Sequence, residues 1–477
     1  MEGYFTSIAP AAVGIVALFI IVRRFLAIDK TNSPDAFDFE PSVCEDGKLQ
    51  RPLGMFEKTC QFLSALNDGS GNDITVLIVK SRVSLNPDMV KRALVLVQER
   101  YPLLRMRVHG LTSKFKEMKD HFKVDFKTMN YYDPQEWVQA FEEESLIPFD
   151  LDQGPLWRVS MLKEHFDGHH YENSLLFSFH HIICDGTSIM ALYNTFLQYL
   201  NDLQNNNDVD VESMALNPPL AHFIGHKLHS SLLEKCLFKM LPTLIKIKNM
   251  LVKPAQNISL ATFPPPILQD PSIVKRTSVI PAVLRKDELS QLLMLGKKHG
   301  CTFHSVITAA TRLAMAQILN TGSVKSKSDM SPHPLYKKSP HKILGTLREN
   351  VNALIKKLVQ SDDRFKFLKF VGNSDLVKEL MSLEDSSICG RYDLAFNISN
   401  RGRFAIGEPT DVFQFGGTYF AMAEQTRGPP FCHNVVSVNG DLYWGLVYYP
   451  HISTKEQSRR ILELSLDILK VAASSME

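Results

Sequence analysis

The chain is as informative in what it lacks as in what it holds. Its 7 cysteines, Cys44, Cys60, Cys184, Cys236, Cys301, Cys389 and Cys432, are scattered, with no C-x-x-C pair. That excludes the usual spacing of a structural zinc site or a disulfide framework, and an odd number leaves one thiol unpaired, so free thiols in a reducing compartment are expected. Charge of one sign is missing as well: 53 basic against 51 acidic side chains leave a formal charge of +2. Such a balance gives no global reason for a nucleic-acid partner. No G-x-S-x-G elbow, phosphate-binding G-x-x-x-x-G-K loop or G-x-G-x-x-G fingerprint occurs. Ser-His-Asp hydrolysis and nucleotide chemistry thereby lose their motifs. What remains is 477 residues, 44% hydrophobic, enough for two cored domains or one large one.

One uncharged run stands out. FTSIAPAAVGIVALFIIV occupies positions 5–22, with only Glu2 before it and Arg23-Arg24 directly after it. As a helix it reaches about 27 Å, the thickness of a thin bilayer such as that of the endoplasmic reticulum. A cleaved secretory signal carries its positive charge ahead of the apolar run, so an anchor is expected instead. Arginines on its carboxyl side place the bulk of the chain in the cytosol. Residues 1–29 thus read as a single-pass membrane anchor and 30–52 as a polar tether.

Beyond the tether, strand-like and helix-like periods alternate, which predicts an α/β class. Residues 74–79 are β-branched, and Asn86-Pro87 opens a helix through about Glu99. Further strands are expected at 105–109 and 121–127. Residues 156–163 and 174–179 form a predicted hairpin about the Asp167–Tyr171 turn. From Gly186 onward the apolar residues Ile189, Leu192, Tyr193, Phe196, Leu197 and Leu200 recur at helical spacing, with Thr187 or Ser188 as the expected cap. Residues 220–253 are helical in pattern with interleaved lysines, and Pro264-Pro-Pro266 marks a crossover. The second half again alternates, with strands expected near 273–280, 393–399, 411–415, 433–438 and 441–448. Helices are expected at 306–319 and 455–472.

The chemistry concentrates in Phe179-His180-His181-Ile182-Ile183-Cys184-Asp185-Gly186. Adjacent strand residues point to opposite faces and no further ligand stands at useful spacing, so a metal site is disfavoured. Acid/base work fits better. One histidine can face a cavity and titrate near neutrality, while Asp185 pairs with an arginine and locks the loop. Gly186 permits a special backbone geometry or the close approach of another segment. His304 and His433 stand near other predicted elements and read as ordinary structural histidines.

The H-H-x-x-x-D-G pattern, set between a strand and a helix, resembles the signature of the CoA-dependent acyltransferase superfamily. That superfamily includes chloramphenicol acetyltransferase, the condensation domains of peptide synthetases and the alcohol acetyltransferases. Tyr101-Pro-Leu-Leu-Arg105, Phe149-Asp-Leu-Asp-Gln-Gly-Pro-Leu-Trp-Arg158, Thr302-Phe-His-Ser305 and Asn397-Ile-Ser-Asn-Arg-Gly402 resemble further segments of it, in the same order. The D-F-G-W-G of the plant enzymes is absent, so the resemblance is to the alcohol acetyltransferase and condensation-like branch.

The resemblance implies two chloramphenicol acetyltransferase-like subdomains, 53–219 and 271–477, joined by a helical linker over 220–270, with a tunnel between them. It implies that His181 is the general base, that His180 orients the turn, and that Asp185 binds an arginine, for which Arg348 is the nearest match. Ser399 and Asn400 would shape an oxyanion site. The implied reaction is acyl transfer from acyl-CoA, a co-substrate and not a tightly bound cofactor, to a hydrophobic alcohol. No metal and no obligate protein partner are implied. An amine acceptor, a carrier-bound acyl donor or a noncatalytic acyl-ligand or protein-binding scaffold are the alternatives.

Overall fold

A computed structural model describes residues 42–43, 47–66, 71–109, 113–118, 124–130, 137–220, scattered positions within 222–247, 262–321, most of 351–357, 395–423 and 429–474. In chain order the first half contains β1 (Ser42–Val43), β2 (Leu49–Pro52), α1 (Met55–Leu66), β3 (Asn72–Ser81), α2 (Pro87–Arg100), β4 (Met106–His109), β5 (Lys114–Glu117) and β6 (Phe126–Met129). It continues with α3 (Trp137–Glu144), β7 (Trp157–Leu162), β8 (His165–Phe166), β9 (Tyr171–His180) and α4 (Gly186–Gln204). The second half contains β10 (Ser278–Leu284), α5 (Lys286–Lys298), α6 (Phe303–Thr321), β11 (Asn397–Phe404), β12 (Phe413–Met422), β13 (Phe431–Val438), β14 (Asp441–Tyr448) and α7 (Lys455–Ser474).

The main sheet runs β12-β3-β9-β7-β6, with β8 paired beside β9. Strand β3, an inner strand between β12 and β9, is an apolar run buried on both faces. Thr75 on one face bonds the Tyr193 hydroxyl of α4, whereas Asn72 on the other donates to the Ile147 carbonyl at 3.0 Å. Helix α2 starts where the Asn86-Pro87 signal places it, the Asn86 side chain accepting from the Asp88 N–H at 2.7 Å. The expected hairpin forms too. Strands β7 and β9 pair antiparallel, and the Asp167 carboxylate accepts from the His169 and His170 amides across a turn with Gly168 at φ +98°.

A second sheet, β10-β14-β13-β11, carries its own core against α5, α6 and α7, centred on Trp444, Leu446, Ile307 and Leu469. A small sheet, β1-β2-β5-β4, lies at the other side of the first half.

Several elements differ from the pattern. The strand expected over 121–127 is β6 at Phe126–Met129, preceded by β5, which alternation too short to register had hidden. The strand expected near 273–280 starts at Ser278. The largest difference is β12. This second-half strand leaves the second sheet and pairs antiparallel with β3 of the first, Phe413 opposite Ser81 through Met422 opposite Asp73. Sheet pairing therefore crosses the line between 53–219 and 271–477, and β12 also receives the Asn434 Nδ2 bond on its Phe420 carbonyl at 2.8 Å, tying the two sheets together.

Among the described residues no helix is long and apolar enough to cross a membrane. The apolar run at 5–22 lies outside the described residues, as does Arg348.

Candidate active site

Strand β9 ends at His180, and the chain turns tightly through 181–185 into α4. The turn is held by backbone bonds on both sides. His180 N–H donates to the Leu156 carbonyl at 2.9 Å, His181 N–H to the Gly71 carbonyl at 2.8 Å, and Ile183 N–H to the His180 carbonyl at 3.1 Å. His181 is thus pinned by its own backbone to the start of β3, a rigid placement for a reacting side chain. Its ring is half-buried. Nδ1 is enclosed with no hydrogen-bond partner among the described residues, which leaves Nε2 as the ring nitrogen free to meet a substrate proton.

His180 points the other way and is 1% exposed. Its Nδ1 accepts from the Ile182 N–H at 3.2 Å, and the Phe149 ring stands edge-on at 6.2 Å between centroids. Burial, with the neighbouring His181 charge second, pushes its pKa down to about 4. A ring held neutral, with Nδ1 accepting from the turn and its single proton on Nε2, orients the turn and carries no charge in neutral solution. Phe149 is fixed in turn by the Arg158 guanidinium, 4.1 Å from its centroid. Arg158 pairs with the buried Glu144 and donates to the carbonyls of Ile147 and Pro148.

Asp185 sits where the turn meets α4. It is the N-cap of α4, in extended backbone at φ −127°, and its carboxylate accepts from Ser188 N–H at 2.8 Å and Ser188 Oγ–H at 2.7 Å. The cap is Asp185 itself, two residues ahead of the expected Thr187 and three ahead of Ser188. It forms no ion pair with an arginine among the described residues. The first-turn amides of its own helix lie within reach at no loop-closure cost, which favours the cap, and its expected partner Arg348 lies outside the described residues.

An arginine does reach this turn, and it is one that the motif reading passed over. Arg401 Nη2 bonds Asp73 Oδ2 at 2.6 Å, with both side chains buried. Its guanidinium lies 3.6 Å over the Phe420 ring. A Cβ at Gly186 would stand 2.7 Å from Arg401 Nε and 2.8 Å from its Cγ. Gly186 is therefore required by close approach, not by an unusual φ. Arg401 lies inside the quoted Asn397–Gly402 segment, so a cation in that turn was the available signal.

Ser399 and Asn400 are both exposed on β11, opposite Asn434 and Val435 of β13. The Asn400 side chain accepts from the Gly402 N–H at 2.9 Å, shaping a turn in which Gly402 takes φ +98°. Its carboxamide oxygen is spent on that turn. His433 is fully buried, its Nδ1 accepting from Trp444 Nε1–H at 3.1 Å, and burial pushes its pKa down to about 3. His304, half-buried at the start of α6, is likewise lowered by burial.

These buried neutral rings predict an acid-sensitive fold. An unfolded histidine titrates near 6.5, so as pH falls through that value the unfolded chain takes up protons that His180 and His433 refuse until about 4 and about 3. Stability contributed by the two rings is complete above the unfolded value and is lost as pH drops from about 6.5 towards 4. At most about 3 kcal/mol for His180 and about 5 kcal/mol for His433 is at stake for shifts of this size. Urea midpoints measured from pH 7 to pH 4 are expected to fall, and His180→Asn, which keeps an acceptor for Ile182 N–H, is expected to shallow the slope. An unchanged slope in that variant counts against the assignment.

Residues 58–217 match the condensation domain family profile. The polyketide synthase PksN of Bacillus subtilis is 27% identical over 168 residues, 33% of this chain but 3% of that protein. A nonribosomal peptide synthetase of Curvularia clavata, kk1B, is 30% identical over 151 residues, 29% of this chain and 1% of that protein. This chain therefore spans only a small part of the length of the curated relatives it matches. Among solved structures, the trichothecene 15-O-acetyltransferase of Fusarium sporotrichioides superposes with a TM-score of 0.63 at 11% identity, covering 93% of this chain and 100% of that one. The wax ester synthase/diacylglycerol acyltransferase of Marinobacter aquaeolei superposes at 0.55 and 13% identity, covering 88% and 100%. Similarity in sequence over 58–217 and in fold over about nine-tenths of the length converge on one conclusion: this chain carries a condensation-domain match and has the fold shared by condensation domains and CoA-dependent acyltransferases.

Proposed function

We propose that the protein transfers an acyl group from a phosphopantetheine thioester to a hydroxyl or amine, with His181 as general base. The observation that carries this reading is the turn itself. His181 is clamped at the Gly71 carbonyl with one ring nitrogen enclosed and the other available, beside a second histidine that burial keeps neutral. Nε2 takes the proton of the acceptor as that group attacks the thioester carbonyl. The tetrahedral intermediate then collapses, the C–S bond breaks, and the proton returns to the departing thiolate. Donor and acceptor must be held together for this, and no acyl-enzyme is required.

Two donors share that chemistry. The first reading, acyl-CoA with a hydrophobic alcohol, is supported by the full-length superposition on a free-standing O-acetyltransferase. The second, a carrier-bound acyl group, is supported by the condensation-domain match and by the synthetases among the relatives. Purified protein is to be given acyl-CoA and acyl-carrier donors of several chain lengths, with mixed alcohols and amines, while free thiol is followed. Acceptor-dependent thiol release from acyl-CoA selects the first reading, and release only from the carrier selects the second. Release from neither sinks the proposal and leaves a noncatalytic acyl-ligand or protein-binding scaffold.

We further propose that residues 5–22 tether this activity to the endoplasmic reticulum, facing the cytosol, which would keep an apolar acceptor within reach. Support comes from the run and its following arginines alone. Protease added to intact microsomes is expected to digest the catalytic part; full protection would refute the orientation.

A further inference from the structure

The strongest unassigned feature is a buried ion pair between residues 328 positions apart, Asp73 on β3 and Arg401 on β11. Its side chains are 3% and 6% exposed, and neither Asp73 Oδ1 nor Arg401 Nη1 has a hydrogen-bond partner among the described residues. Each charge therefore depends on the other for compensation, since a lone buried charge carries several kcal/mol of desolvation cost.

Its location is what makes it functional. Asp73 follows by two residues the Gly71 whose carbonyl holds His181 N–H, and it lies opposite Phe179 of β9 and Met422 of β12. Arg401 comes from the other sheet. The pairing of β11 with β13 shifts register between Asn400 and Arg403, and the Asn400–Gly402 turn throws Arg401 off the strand. Its stem then lies against Gly186, and its guanidinium covers Phe420. One side chain thus touches β3, the first residue of α4 and β12, which are the elements that frame the 181–185 turn. Asp185, meanwhile, turns its Oδ1 to Ser188.

From this geometry we propose that Arg401, acting through Asp73 and seated on Gly186, is the positioning residue that latches the second sheet onto the catalytic turn and so sets the place of His181 relative to a substrate held by both halves. Arg401 touches no reacting atom in this role. Its kinetic consequence rests on the acyl-transfer reading above, whereas the latch itself does not.

The experiment has two arms. In urea unfolding, Asp73→Asn, Arg401→Gln and the double variant form a cycle; the double is expected to be no less stable than the worse single, because the two losses are one loss. This arm needs no substrate. In the thiol-release assay, Asp73→Asn and Arg401→Gln are each expected to lower kcat by about 100-fold, the scale of a misplacement near 1 Å. KM for the donor is expected to stay within about threefold, with kcat taken per folded molecule from the unfolding curves, since loss of folded protein alone also lowers apparent kcat at constant KM. Arg401→Lys is expected to recover about tenfold over Arg401→Gln by restoring the charge, and Gly186→Ala to resemble Arg401→Gln by displacing the stem. Asp185→Asn, still a good cap, is expected to lose at least about tenfold less than Asp73→Asn. Additive losses in the unfolding cycle overturn the latch. Equal damage from Asp185→Asn and Asp73→Asn overturns its assignment to Arg401 and Asp73. No thiol release from the unsubstituted protein refutes the acyl-transfer reading instead, and the unfolding cycle then still decides the latch.

Discussion

His181→Ala is expected to lower acceptor-dependent thiol release by about 1,000-fold, in the middle of the range for loss of a positioned general base. The donor KM is expected to change little, because the ring acts on the acceptor's proton and its removal takes away an interaction made in the transition state. The fold is expected to survive, since His181 is anchored by its backbone N–H on the Gly71 carbonyl and that bond does not need the imidazole. His180 supplies the contrast. His180→Asn keeps an acceptor for the Ile182 N–H and is expected to lose no more than about tenfold, while His180→Ala strands that amide and opens a cavity under Phe149. Equal losses for His181→Ala and His180→Asn would show that the two rings have been given the wrong roles. Undiminished release in His181→Ala would remove the general base altogether.

The largest expected effect on stability lies behind His180, at Glu144. This carboxylate is 2% exposed, and it accepts from Arg158 and from Ser178 Oγ–H at 3.0 Å, with Lys127 Nζ at 3.3 Å. Burial by itself raises its pKa, but the Arg158 charge and bond, with Lys127 and Ser178, outweigh burial and hold it below the ordinary carboxylate range. Glu144→Ala leaves the Arg158 cation buried without its counter-charge, and about 3–5 kcal/mol of folding stability is expected to go with it. Replacing the pair together, Glu144→Leu with Arg158→Met, is expected to restore most of that loss, because no unpaired charge remains. Urea unfolding of the three variants reads both numbers. A cost below about 1 kcal/mol for Glu144→Ala would mean that water reaches Arg158 and that the pair is not the support of Phe149 described above.

The same pair illustrates how local and distant information divide in this chain. The Phe149–Arg158 segment was recognisable as a motif, and its strand, β7, falls where the apolar run at 156–163 predicts. Why its last residue is an arginine was not recognisable, because the partner Glu144 sits on α3, in a stretch with no motif of its own. The catalytic turn was the most legible part of all. A period-2 run ends at His180, a period-3.6 run begins at Gly186, and what lies between must be a short connection. Helix α2 was legible for a similar reason, since Asn86 and Pro87 act on the amides beside them.

Asp185 shows the limit of a motif. A carboxylate in that position can cap the helix it precedes or pair with a cation from elsewhere, and residue type alone does not choose. In the folded chain its Oδ1 caps α4, with Ser188 three residues away, while the arginine expected for it, Arg348, lies outside the described residues. A different arginine, Arg401, lies against the neighbouring Gly186 and pairs with Asp73.

What the amino-acid order decides unaided is therefore local: the strand, the turn with its two histidines, the capped helix, and a glycine too small to be accidental at 186. The packed molecule decides what pairs across long separations, namely β12 beside β3, Arg401 with Asp73, and which histidine faces inward. The reason is that hydrogen-bond periodicity and capping act over three or four residues. Register between strands, and the compensation of a buried charge, are settled only when distant segments share one dry interior.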